Sequence, residues 1–318
     1  MILFGTVLAL GAGMVLAVLG ICCYCFRVAF YAGPRSPEQP DRIETPEGAI
    51  YDPYRADMER WILEARAMPQ EHFTVRSFDG LTLHGTFYEY APGATVELMF
   101  HGYRGTAERD LSGGVQRCFR LGHSALIVDQ RCSGRSEGQV ITFGINEHKD
   151  CLRWVDFAVK HFGPDVRIIL TGISMGAATV LTAAGEKLPE NVIGVLADCG
   201  YSSAKEIMYH VIRAMHLPPK LCYPFVKLGA KLFGHFDLEE TSPLKAMENC
   251  SVPVILFHGE DDDFVPCDMS RAVYAACKSR KHLVTIPGAG HGLAYAVEPE
   301  RYVEELYAFF GPEASYQE

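Results

Sequence analysis

The chain has 318 residues and a formal net charge of −10, long enough for one generous α/β domain with an appendage. An acidic balance of this kind argues against a nucleic-acid binder, which would carry a basic patch. Hydrophobic residues make up 48% of the whole, a figure raised by the first thirty positions.

From Ile2 to Phe26 no side chain is charged. A helix over this stretch of roughly 25 residues is longer than the ~30 Å hydrocarbon core is thick, so a transmembrane anchor is expected over residues 1–30. The competitor is a cleaved signal peptide. It fits less well, because no Lys or Arg precedes the apolar run and the run is longer than a usual signal core. A lipoprotein signal around Leu19-Gly20-Ile21-Cys22 lacks the small residue expected before the cysteine. Arg27, Arg35 and Arg42 follow the span, which places the folded domain of a single-pass protein on the cytoplasmic side. The cysteines from Cys118 to Cys277 are scattered without framework spacing, as for thiols in a reducing compartment.

Residues 31–69 read as a linker and a short amphipathic helix. Gly33-Pro34-Arg35-Ser36-Pro37 opens a proline-rich stretch. Met58, Trp61, Ile62 and Ala65 then share one side of a helix over 54–68. Alternating runs at 71–77 and 81–89 flank Phe78-Asp79-Gly80, a hairpin signal. Beyond them, apolar runs at 96–100, 125–128, 166–171, 192–196, 252–257 and 282–286 read as strands. Helical patterns at 146–160, 175–187, 270–279 and 299–310 fall between them. The alternation predicts an α/β fold over residues 70–318, with a mostly parallel sheet covered by helices on both faces. It breaks between Asp198 and Ser242, where two helical segments separated by Leu217-Pro218-Pro219 suggest a lid at about residues 201–245.

Gly172-Ile173-Ser174-Met175-Gly176 stands between a β-branched run and a small, aliphatic one. Strand, sharp glycine turn with a serine at its apex, then helix is the form of a nucleophile elbow. The turn aims the helix N-terminus and its free N–H groups at a reaction centre. The same letters recur at Gly134-Arg135-Ser136-Glu137-Gly138, but a polar stretch precedes them and no small-residue helix follows. Ser136 is therefore read as a loop residue and Ser174 as the nucleophile.

A serine needs a base, and the base needs an acid to hold its tautomer. His291 lies in the glycine-rich loop Gly288-Ala289-Gly290-His291-Gly292, just past the last strand. The acid falls within Glu260-Asp261-Asp262-Asp263 after the strand ending at Phe257, with Asp198 one strand earlier as a second possibility. Neighbouring carboxylates of this kind rarely converge on one ion, so no metal is expected.

Taken together, His101-Gly102-Tyr103, Asp129-x-Arg131-x-x-Gly134-x-Ser136, the elbow, His258-Gly259-x-x-Asp262-x-x-Val265-Pro266 and Gly290-His291 resemble the α/β-hydrolase superfamily of serine hydrolases. The likeness is nearest to its membrane-anchored YqkD-like branch. The resemblance implies an α/β-hydrolase fold and selects Asp262 from the four carboxylates. It makes Asp198 structural and gives Asp129 and Arg131 a turn-shaping role. It implies loop geometry, rather than catalysis, for His101. Cys132 stands where a glycine is common, which leaves that turn open. An oxyanion hole needs two backbone donors; the N–H groups of Tyr103 and Met175 are expected to supply them.

The expected activity is hydrolysis of carboxylic esters through an acyl-enzyme. Ser174 attacks, His291 carries the proton and Asp262 orients His291, with no cofactor. Peptidases, thioesterases and acyltransferases use the same machinery. Dehalogenase or epoxide hydrolase chemistry, which uses an Asp nucleophile, is disfavoured by Ser174 at the elbow. A non-catalytic, membrane-tethered interaction protein is the alternative of a different class. Ile207, Met208, Val211, Met215, Leu221, Tyr223, Phe225 and Leu228 offer apolar area in the lid segment. Beside an anchor they suggest small-molecule or lipid-like acyl substrates, although helical spacing of this kind also fits plain packing.

Overall fold

The computed structural model describes residues 2–33 and 42–311. Most of the proline-rich linker, with Arg35, lies outside them.

Eight strands form one sheet: β1 (Glu71–Arg76), β2 (Thr82–Tyr88), β3 (Val96–Phe100), β4 (Ser124–Asp129), β5 (Ile168–Ile173), β6 (Val192–Asp198), β7 (Val254–Gly259) and β8 (Lys281–Ile286). Their spatial order is β1-β2-β4-β3-β5-β6-β7-β8. The β1–β2 hairpin pairs antiparallel to β4, and every pairing from β4 to β8 is parallel. The helices are α1 (Ile2–Ala29), α2 (Arg55–Ala67), α3 (Ala107–Arg120), α4 (Glu147–Phe162), α5 (Met175–Ala183), α6 (Ala204–Ala214), α7 (Pro219–Phe233), α8 (Pro243–Met247), α9 (Cys267–Ala276), α10 (Ala294–Val297) and α11 (Pro299–Phe310).

Strands β3, β4 and β7 are buried at every position, the consequence of cover on both faces. Leu98, Leu126 and Leu170 face one side and pack with Trp154, Val180 and Val273 of α4, α5 and α9. Ile169, Leu196 and Phe257 face the other, against Met58 of α2 and Tyr302 and Leu306 of α11. On the same side Met99 and Ile127 meet Leu111 and Val115 of α3. Edge strand β1 is mostly exposed, so its alternation is visible in the sequence.

Helix α3 was not singled out in the sequence pattern, because Gly113 and Gly114 interrupt it. Both glycines are packing sites. A β-carbon on Gly113 would come within 2.7 Å of the Trp61 ring, and one on Gly114 would strike the Met99 methyl. Thr106 caps the helix, its side chain accepting from Arg109 N–H.

The last turns of α1, before the expected boundary at residue 30, pack on the rest of the chain. Cys22, Phe26 and Phe30 are buried, and both phenylalanines join a cluster with Phe143, Tyr223, Val226 and Phe236. Gly229 of α7 lets the α1 backbone approach closely at Cys22. Tyr31 bridges Val140, and Phe30 O accepts from Ile141 N–H at 2.8 Å. Farther toward the N-terminus of α1, Leu10, Met14 and Leu16 are exposed.

Candidate active site

The turn at Ser174 is built by its glycines. A β-carbon on Gly172 would collide with the backbone of Gly176, and one on Gly176 with the carbonyl oxygen of Phe100. Only glycine lets β5, the turn and α5 pack this closely beside β3. Ser174 itself takes φ 56°, ψ −116°, a conformation that side chains rarely adopt. Its N–H donates to Asp198 O at 2.8 Å, tying the turn to the end of β6.

The loop after β8 brings His291 Nε2 to 2.9 Å from Ser174 Oγ, while Nδ1 lies 2.7 Å from Asp262 Oδ2. Facing a carboxylate, Nδ1 carries the proton, which leaves Nε2 free to accept from the serine hydroxyl. Ser174, Asp262 and His291 thus form one hydrogen-bonded chain, an arrangement able to activate a hydroxyl as a nucleophile.

Asp262 is buried while Glu260, Asp261 and Asp263 are exposed. Its Oδ1 accepts from the N–H groups of Phe264 and Val265 at 2.9 and 2.8 Å. His258 sits beneath it, Nε2 donating to Val265 O at 2.8 Å and lying 3.4 Å from Asp262 Oδ2. Burial alone would raise the Asp262 carboxyl pKa. The hydrogen bonds from His258, His291 and the Val265 N–H outweigh it and hold the group well below the usual carboxylate range.

The other sequence candidates fall elsewhere. Asp198 turns to α11, where its Oδ2 accepts from the Tyr302 hydroxyl at 3.0 Å. Ser136 is buried, donating to Asp129 O at 2.6 Å and accepting from His84 N–H at 2.8 Å. Asp129 accepts from the N–H groups of Ala107 and Arg135, and Arg131 is paired with Asp150 and Asp79. Cys132 keeps the turn with φ 70°, the left-handed conformation that a glycine would hold without strain.

Gly102 lies against the serine, a β-carbon there falling 3.5 Å from Ser174 Cβ. The turn that carries Tyr103 is held from three sides. Gly102 N–H donates to Asp110 Oδ2 at 3.1 Å. His101, fully buried, accepts from Gln130 N–H at Nε2 and donates from Nδ1 to Gly102 O at 2.7 Å. On the outer side the Tyr103 hydroxyl donates to Ala29 O, and Arg104 Nη2 to Val28 O and Tyr31 O. Met175 opens α5. Asp110 escaped sequence reading because its partner is a backbone N–H on another element.

Beside the serine opens a cavity of about 520 Å³, well within the size range of ligand pockets. It descends along the α2–α3 face of the sheet. Met58 and Trp61 of α2, Met99, Leu111 and Ile173 line it, as do residues 46–51, in the stretch expected as linker. None of the eight apolar residues noted in the lid segment lines it; Ile207, Met208 and Tyr223 pack in the cluster that holds Phe26 and Phe30, the plain packing that their helical spacing also fits. Helical amphipathicity marks which face is covered, not what covers it.

Among the described residues, donors of metal-ligand type converge at Cys199, Asp262 and His291, within 4.8 Å of one another. Two of these already bond to each other. Burial, with Asp198 and Asp262 nearby, raises the Cys199 thiol well above its ordinary range, which keeps it a neutral packing group.

The model of the prolyl oligopeptidase family matches residues 142–315, more than half of the chain. The chain belongs to this family. Its fold is that of the α/β-hydrolases. YqkD of Bacillus subtilis strain 168 is 26% identical over 305 residues, 95% of each chain. An esterase of Pyrococcus furiosus superposes with a TM-score of 0.63 at 20% identity, covering 86% of this chain and 97% of that one. An acylaminoacyl peptidase of Pyrococcus horikoshii matches with a TM-score of 0.53 at 18% identity, covering 76% of this chain but 41% of the peptidase.

Proposed function

We propose that this hydrolase cleaves carboxylic esters through an acyl-enzyme. The observation that carries the reading is the hydrogen-bonded run Ser174–His291–Asp262, with Ser174 and His291 lining a largely apolar cavity. His291 Nε2 takes the Ser174 proton as Oγ attacks the carbonyl carbon, and Asp262 stabilises the imidazolium that forms. The developing oxyanion lies between the N–H groups of Met175 and Tyr103, the first at the N-terminus of α5 and the second on the turn against Ser174. His291 then protonates the leaving alcohol. Water, deprotonated by His291, releases the acid from Ser174.

The cavity beside Ser174 suits an acyl chain of moderate length. The esterase of similar fold spans almost its whole length with this chain, whereas the peptidase shares less than half of its own. That difference in shared architecture favours esters over peptides. We read α1 as the membrane anchor, because Leu10–Ala29, 20 residues, is long and apolar enough to cross a bilayer. Arg27 in its last turn, with Arg35 and Arg42 beyond it, favours a cytoplasmic catalytic domain.

The test is hydrolysis of p-nitrophenyl esters of increasing acyl length by full-length protein in detergent, with Ser174→Ala alongside and a fluorophosphonate probe. Ester turnover and probe labelling that both vanish in the variant are expected. Turnover of amides or thioesters alone would replace the esterase reading. Folded protein that neither turns over substrate nor takes the probe would favour a binding role.

A further inference from the structure

Helix α7 keeps an apolar stripe on the surface. Leu221, Phe225, Leu228 and Leu232 recur at spacings of four, three and four, which sets them on one face of the helix. Leu221, Leu228 and Leu232 are 65%, 38% and 42% exposed, and Phe225 is half-buried. Met215 and Leu217, just before α7, are exposed as well. Single exposed leucines are ordinary on a protein surface, whereas a contiguous row of them marks a face that meets another apolar phase.

The flanks of the stripe differ. By helical spacing, Cys222 and Gly229 lie on one side of it, and that side meets α1: a β-carbon on Gly229 would come within 2.4 Å of Cys22 O. Phe233 adds a contact with Phe26, ring centroids 5.9 Å apart. Lys220, Lys227 and Lys231 lie on the other side, and α7 contains no acidic residue. Lys227 is paired with Asp237 and Glu239, while Lys220 and Lys231 are exposed. An apolar stripe with a cationic flank is the form of a helix that lies along a membrane surface.

The length of α1 puts α7 at that depth. Its 28 residues make a helix about 42 Å long, roughly 12 Å more than the hydrocarbon core is thick. Arg27 in its last turn and the folded domain beyond it keep the surplus at the C-terminal end. That surplus is the stretch from Cys22 to Ala29, where α7 packs.

We propose that the Leu221–Leu232 stripe of α7 lies in the boundary between headgroups and acyl chains of the bilayer that α1 crosses. The inference rests on the reading of α1 as the anchor. The lysine flank suits the anionic lipid of a cytoplasmic leaflet. Met175, next to Ser174, shares a cluster with Tyr223 and Val226 of α7, so this contact holds the Ser174 end of the sheet on the membrane side.

The experiment reads depth by tryptophan quenching. Full-length Leu228→Trp is reconstituted in phosphatidylcholine–phosphatidylglycerol vesicles whose acyl chains carry bromine either near the carbonyls or near the methyl ends. Leu221→Trp repeats the reading at a second site of the stripe. Leu10→Trp, in the outer part of α1, and Tyr307→Trp, exposed on α11, run alongside, with the wild-type signal of Trp61 and Trp154 subtracted. An interfacial helix reaches only ~5–10 Å into the headgroup–acyl boundary, so both stripe variants should lose more emission to bromine near the carbonyls than to bromine at the methyl ends. Leu10→Trp should be quenched and Tyr307→Trp should not. Quenching of Leu10→Trp with both stripe variants untouched overturns this inference and leaves the anchor in place. If the stripe variants are then blue-shifted and a crosslinker yields dimers, a second copy of this chain covers the stripe instead. No quenching of Leu10→Trp overturns the anchor reading, and this inference with it.

Discussion

The Tyr103 hydroxyl donates to the carbonyl oxygen of Ala29 at 2.9 Å. A residue on the turn that lies against Ser174 is thereby bonded to the last turn of the N-terminal helix. Arg104 adds bonds to Val28 and Tyr31, and carbonyls at a helix C-terminus favour such cations. The helix is thus part of the support for the site, in addition to any role in the membrane.

This coupling predicts that Tyr103→Phe, which keeps the ring beside Phe143, lowers kcat several-fold with little change in KM. Its loss of stability should be that of one hydrogen bond, about 0.5–1.5 kcal/mol. Phe30→Ala should cost about 3–5 kcal/mol, as for a buried phenylalanine, while Leu10→Ala, on an exposed face, should stay within about 0.5 kcal/mol. Thermal melts in detergent and steady-state kinetics check all three. Equal effects of Phe30→Ala and Leu10→Ala would show that the helix does not pack on the domain.

Ser174→Ala and His291→Ala should each remove nearly all ester turnover. Asp262→Asn should reduce kcat by several orders of magnitude, since the amide cannot hold His291 in the required tautomer. Because Asp262 is held far below the usual carboxylate range, it stays ionised throughout the working pH range. The acidic fall of kcat/KM should therefore keep its position when Asp262 is replaced by Glu, even if the rate drops.

Glu97 is buried in β3 beside Arg117, His123 and Thr171. Burial opposes its charge, but these partners prevail and bring its pKa down to about 2. A carboxyl lowered in the folded state stabilises above its unfolded pKa, ~4.3, and that contribution is lost as pH falls toward 2. Glu97→Gln should destabilise by about 3–5 kcal/mol at neutral pH by leaving Arg117 uncompensated. The deficit relative to wild type should shrink below pH ~4 in urea unfolding curves. A deficit constant with pH would refute the assigned coupling.

Gly176→Ala should prevent folding or cost several kcal/mol, because the added carbon has to displace the Phe100 carbonyl in the sheet. Gly93→Ala, where the surroundings are open although φ is 76°, should cost about 1 kcal/mol from backbone strain alone. Circular dichroism melts of the two variants separate crowding from strain.

Much of this protein was legible in its residues. The strand positions, the elbow and the histidine loop are local: each depends on a few neighbouring side chains whose periodicity or glycine spacing has one stable outcome. Asp262 could be chosen from four adjacent carboxylates only by resemblance, since burial of that carboxyl depends on His258 and the backbone N–H groups curling over it. The sequence by itself determined the α/β order, the sharp turn at Ser174 and an apolar helix long enough to cross a membrane. Tertiary structure alone decided what each apolar face meets. It sent the α6–α7 segment against α1 instead of over the cavity beside Ser174, and brought residues 46–51 to line that cavity. Hydrophobic burial is non-directional, so an amphipathic pattern specifies that a face is buried, and only the packing of the whole chain selects its partner.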